Sequence, residues 1–228
     1  MRRSKRLYHA ALALFLAAEC VLGVLVHTVR PGAVPWVSYA AVLLAFAFCF
    51  LSARKSASYA LSQLALLFTL AADYILVLHP EYSKLLAMLF FSVVQLAYGA
   101  RLLLEAEGRR PRAVQAGVRA ALSLLAVLLT LLVVGEAADA LALVSMFYFA
   151  NLLWNAALAL LAWRRSPTLA LGLVLFVLCD LFVGFSMLDA YLPIAEGTLL
   201  AWMASPPINM AWVFYIPSQT LLSLSSRA

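Results

Sequence analysis

Seven short breaks, each built from charges, proline or glycine, cut this 228-residue chain into apolar runs of membrane-spanning length. Crossing a bilayer core takes about 20 apolar residues in helical form. In hydrocarbon no water bonds the backbone, so each run must satisfy its own N–H and C=O groups as a helix. The runs cover residues 8–29, 34–53, 57–78, 84–104, 114–134, 139–163, 168–188 and 203–224. They predict an all-α, polytopic membrane bundle of eight transmembrane helices, forming one integral membrane domain over 1–228.

Water is excluded as the solvent for such a chain. Hydrophobic residues make up 66% of it and charged residues 11%, whereas soluble domains average about 45–50% apolar and about 25% charged. One core could not hide that much apolar surface. Arg2-Arg3-Ser4-Lys5-Arg6 ahead of the first run resembles a signal peptide, but the run is longer than a signal core and seven more follow it. It reads as the first span.

Placing the N-terminus in the cytoplasm puts 14 of the 16 lysines and arginines on that side: Arg2, Arg3, Lys5, Arg6, Arg54, Lys55, Arg101, Arg109, Arg110, Arg112, Arg119, Arg164, Arg165 and Arg227. Only Arg30 and Lys84 fall outside. Cytoplasmic loops carry the positive excess, so both termini are expected in the cytoplasm of a multi-pass cell-membrane protein. The net charge of +6 is then a topology signal and a contact with anionic head groups. No polar segment interleaves aromatics with basic residues, so nucleic acid is not an expected partner. Cys20, Cys49 and Cys179 sit singly in apolar runs, and the three histidines lie at helix ends without ligand spacing. Neither a metal nor another cofactor is expected.

Leu67-Phe68-Thr69-Leu70-Ala71-Ala72-Asp73 in the third span is echoed by Leu175-Phe176-Val177-Leu178-Cys179-Asp180 in the seventh. Each is followed by a span carrying tyrosine and glutamine: Gln95 and Tyr98, then Tyr215 and Gln219. This faint pattern suggests a repeat of four helices plus four in parallel orientation.

Ionisable groups in hydrocarbon are costly and by default face the bundle interior. Glu19, Asp73 and Asp180 lie well inside spans, and the two aspartates fall in the outer half of parallel helices, where they can share a layer. Asn151 and Asn155 lie four apart on one helix face, with Tyr148 three residues earlier. Gln95 and Tyr98 occupy the middle of the fourth span, and Tyr215, Ser218 and Gln219 bracket Pro217. Two carboxyls in a poorly hydrated pocket suit acid–base work, one holding a proton while the other is ionised. The bland reading of the neutral polar groups is interhelical hydrogen bonding.

Phe68-x4-Asp73, Phe91-x3-Gln95-x2-Tyr98, Leu175-Phe176-x3-Asp180 and Phe214-Tyr215-x3-Gln219 together resemble the YhhN-like lysoplasmalogenase family of eight-helix membrane proteins. The resemblance runs from about residue 57 onward. It implies hydrolysis of the vinyl ether bond of a lysoplasmalogen drawn from the bilayer, giving a fatty aldehyde and a glycerophospho head group. Asp73 and Asp180 would correspond to the family's two intramembrane aspartates. Gln95, Tyr98, Asn151, Asn155, Tyr215 and Gln219 would contact substrate. Ala72, Cys179 and Gln95 stand where the family usually has Gly, Ser and often His.

Two other readings use the same residues. A non-catalytic carrier, or a bundle that binds lipid or another ligand, would take a cation or proton on these aspartates. A structural partner subunit would need no pocket at all. Nothing in the pattern selects an oligomeric state.

Overall fold

The computed structural model describes residues 2–51, 56–106 and 109–226, and every regular element among them is helical. In chain order these are α1 (Arg2–Thr28), α2 (Val34–Leu51), α3 (Ala57–Asp73), α4 (Lys84–Glu105), α5 (Arg109–Val134), α6 (Ala140–Leu161), α7 (Pro167–Ser186), α8 (Leu199–Ala204) and α9 (Met210–Ser225). Beyond Asp73, α3 widens into one π-helical stretch, Tyr74–Leu78. The predicted loop charges Arg54, Lys55 and Arg227 lie outside the described residues.

The breaks work as local chemistry dictates. Ser56, Ser83, Asp139, Thr198 and Asn209 each accept a backbone N–H of the first turn that follows, satisfying a donor the helix itself cannot. Pro167 opens α7, where a missing N–H costs nothing.

One predicted boundary is corrected. The expected span 203–224 is two pieces, because Ser205–Asn209, with Pro206 and Pro207 in tandem, separates the short α8 from α9. A proline removes the N–H and sterically blocks the preceding turn. Among the described residues, seven helical segments are long and apolar enough to cross a membrane. The eighth predicted span corresponds to α9, whose 16 residues extend about 24 Å at the helical rise.

Burial is arranged for lipid. Large apolar side chains such as Leu132, Leu161, Leu14 and Val133 point outward, 61–85% exposed, while the interior is rich in polar groups. α5 packs chiefly against α6 and leaves Leu124, Leu125, Leu128 and Leu131 on its outer face. The centre lies among α3, α4, α6, α7 and α9, where Tyr98, Phe176, Leu152, Leu173 and Leu222 are fully enclosed.

Between lipid-solvated helices there is no hydrophobic drive, so close backbone approach and polar bonds decide packing. α7 and α9 meet at Gly172: a Cβ there would lie 2.9 Å from the Leu222 side chain. Ser218 Oγ donates to the Gly172 carbonyl at 2.8 Å. At one end of the bundle Arg101, 3% exposed, ties three helices together. Its Nη1 donates to Ser62 Oγ and Ser225 Oγ, its Nη2 to the Ser225 carbonyl and its Nε to Glu105, all at 2.9 Å. The cation sits at the C-terminus of α9, where the helix dipole is negative. At the opposite end, Tyr191 donates to Asp139 Oδ1 at 3.1 Å, joining the chain after α7 to the start of α6.

Candidate active site

The π-helical stretch begins immediately after Asp73, a local widening that often marks functional positions. Asp73 is 3% exposed, and its Oδ2 accepts from Tyr215 Oη of α9 at 2.6 Å. Asp180, on the half-buried part of α7, has its Oδ2 bonded by Tyr148 Oη of α6. Both intramembrane aspartates are therefore held by a tyrosine from a neighbouring helix.

The two pairs share a layer. The Phe176 ring lies 6.5 Å from that of Tyr148 and 5.5 Å from that of Tyr215, so one phenyl group separates the two tyrosines. Phe91 closes the layer from α4, 5.6 Å from Tyr148 and 6.0 Å from Phe176. The partners do not follow a four-plus-four pattern: Asp73 is bonded from α9, whereas Asp180 is bonded from α6.

A second polar cluster lies one to two turns further along α6. Asn151 Oδ1 and Asn155 Oδ1 accept from Arg119 Nη1 and Nη2 at 2.8 and 2.5 Å. Asn151 Nδ2 donates to Ser123 Oγ at 2.9 Å and to the Phe147 carbonyl at 2.8 Å. Asn155 Nδ2 donates to the Gln95 carbonyl at 2.7 Å and to Gln95 Oε1 at 3.0 Å. A Cβ on Gly99 would lie 2.4–2.7 Å from the Arg119 guanidinium, so only glycine leaves that space on α4.

Gln219 and Tyr98 are enclosed, and Gln219 Oε1 and Nε2, Tyr98 Oη, Thr69 Oγ1 and Gln95 Nε2 are buried with no hydrogen-bond partner among the described residues. Thr69 and Gln219 are each one turn from the Asp73–Tyr215 bond, on facing helices. Glu19, 4% exposed, lies apart beside Thr220 on the α1–α9 side, with both carboxyl oxygens buried.

The predicted set thus separates into an aspartate layer with Tyr215, an asparagine cluster with Gln95, and the enclosed Tyr98 and Gln219. Tyr148 was legible on the face of Asn151 and Asn155, but its bond to Asp180 was not. Arg119 stands in the charge partition as a topology signal. Its position two turns beyond Arg112 and within the run 114–134 is the signal that it serves the interior. Among the described residues no group of three or more His, Cys, Asp or Glu side chains is placed to hold a metal ion.

Beside Asp73 an apolar groove of about 470 Å³ opens on the flank of α2, α3 and α4. Leu67, Leu70, Ala71, Tyr74 and Ile75 line one wall, and Tyr39, Tyr82, Leu86 and Phe90 line the rest, with Asp73 turned away from it.

Comparison with known proteins matches residues 35–225 to the model of the YhhN family. No curated protein and no solved structure matches the chain.

Proposed function

This chain belongs to the YhhN family, and from that premise we propose that it is an intramembrane hydrolase cleaving the vinyl ether bond of lysoplasmalogens. The observation that carries the reading is the pair of aspartates in one aromatic-walled layer, each fixed by a tyrosine.

A vinyl ether resists base but yields to acid. One aspartic acid delivers its proton to the β-carbon of the alkenyl chain, and the C–O carbon becomes an oxocarbenium ion. The other carboxylate faces that developing charge and orients the attacking water, which loses a proton to it. The resulting hemiacetal collapses, its C–O bond breaking to give a fatty aldehyde and a free glycerol hydroxyl. One water is consumed and no nucleophilic side chain is needed. Tyr148 and Tyr215 hold the carboxyls in register. The groove beside Asp73 suits the alkenyl chain, since it is apolar and opens toward lipid.

A second reading, a carrier, draws on a different observation. Among the described residues, Thr69, Gln95, Tyr98 and Gln219 leave polar atoms unbonded inside the bundle, as a path for a polar solute or proton would.

Purified protein in a detergent that preserves the fold should release aldehyde from a lysoplasmalogen and no fatty acid from an ester lysolipid. Asp180→Asn keeps the shape but removes both acid and charge, so the rate should fall about 10²–10⁴-fold with thermal unfolding unchanged. A folded wild-type protein inert toward lysoplasmalogen would favour the carrier.

A further inference from the structure

A guanidinium in a membrane interior is expensive and normally finds a carboxylate. Arg119 does not: among the described residues the salt bridges are His79–Glu81 and Arg101–Glu105, and Arg119 meets only the neutral oxygens of Asn151 and Asn155. Those bonds use two of the five N–H groups a guanidinium carries. The neighbouring carboxamide of Gln95, its oxygen taken by Asn155, has an Nε2 group that is buried with no acceptor among the described residues. The cluster has spare donors, a full positive charge and no acceptor left over. Its complement is an anion with several oxygens.

We propose that Arg119, with Gln95, binds the phosphate of a single-chain phospholipid, and that this subsite sets the head-group class the aspartate layer receives. The proposal rests on the functional reading above and supplies its missing specificity. The geometry fits. Arg119 bridges Asn151 and Asn155, which follow Tyr148 by three and seven residues, so the guanidinium lies about 5–10 Å along α6 from the aspartate layer. That is the scale of a glycerol between its phosphate and its sn-1 oxygen. With the N-terminal face in the cytoplasm, as the charge partition predicts, Arg119 lies toward that face and the Asp73 groove toward the bilayer's other half. A lysolipid of the inner leaflet would therefore enter head group first at Arg119 with its chain directed toward the groove. An apolar groove of about 360 Å³, bounded by Leu122 and Trp154, lies between α5 and α6, the two helices that carry Arg119 and its asparagines. Arginine suits the task because its planar fork spans both amides and still presents N–H groups to phosphate.

The test is binding, measured by native mass spectrometry on the full chain in detergent. Lysophosphatidylethanolamine, an ester lipid, is compared with a monoacylglycerol of the same chain. The wild type should prefer the phospholipid at least about tenfold, the equivalent of 1.4 kcal/mol. Arg119→Gln should bind both lipids equally, with monoacylglycerol binding as in the wild type, which also certifies its fold. Gly99→Ala, whose new Cβ displaces the guanidinium, should reduce the preference in the same direction and decides the matter should Arg119→Gln not fold. Excess glycerophosphate, which lacks the chain, should leave the lysolipid bound. Equal binding of the two lipids by the wild type, or a preference surviving in Arg119→Gln, overturns the subsite. Displacement by glycerophosphate overturns its assignment to a lipid. Loss of aldehyde release with the preference intact would sink the hydrolase reading alone.

Discussion

Tyr215 donates its phenolic hydrogen to Asp73 across 142 residues of sequence and the α3–α9 interface, at 2.6 Å in a fully enclosed setting. Removing one partner of a buried hydrogen bond leaves the other desolvated, at a cost of about 1–3 kcal/mol. Tyr215→Phe should therefore lower the unfolding midpoint. It should reduce kcat by less than the roughly 10²–10⁴-fold expected for the carboxyl itself, because the acid remains and only its orientation loosens. A variant with wild-type stability and turnover would mean the bond positions nothing.

Gly172 and Leu222 test the packing of α7 on α9. A methyl at Gly172 enters space the Leu222 side chain fills, and overpacking of this kind costs about 1–3 kcal/mol. In a Leu222→Ala background most of that cost should vanish, a non-additivity read by thermal unfolding of the double mutant. Additive losses would show that the helices do not meet as described.

Glu19 is an acid with no assigned task in the proposed chemistry, and it lies on the α1–α9 side, away from the aspartate layer. Glu19→Gln preserves its shape, so cleavage of lysoplasmalogen should match the wild type while Asp180→Asn fails. Abolished cleavage in Glu19→Gln would move the reaction to α1.

Reporter fusions placed after Arg112 and after Arg165 should both report cytoplasm, as the 14-to-2 division of positive charge requires. An external signal at either position would reverse the bundle, and with it the leaflet from which Arg119 draws its lipid.

The helical class and most boundaries were legible because apolar length and charged breaks are local signals. The start of the last helix was not. Its apolar content continues through residues 199–213, and only the tandem Pro206 and Pro207 stop the pattern from being one helix. At the site, Asp73 and Asp180 declared themselves by the cost of burying a carboxyl. Their tyrosine partners did not, since a hydrogen bond between residues 142 apart leaves no trace in spacing. Arg119 was obscured for a different reason: an arginine within a few turns of a loop looks the same in sequence whether it turns back to the head groups or reaches inward, and only Gly99, facing it from α4, shows the choice.

The Arg101 contacts also carry a schedule. Ser225 lies 124 residues further along the chain, which ribosomes add in about 6–25 seconds at ordinary elongation rates. During that interval α3 and α4 are already made, with Ser62 and Glu105 in place, while the other two acceptors of the Arg101 guanidinium, the hydroxyl and carbonyl of Ser225, have not been synthesised. The nascent bundle therefore carries a guanidinium whose charge is matched by Glu105 but whose remaining N–H groups wait for α9 to close the cluster.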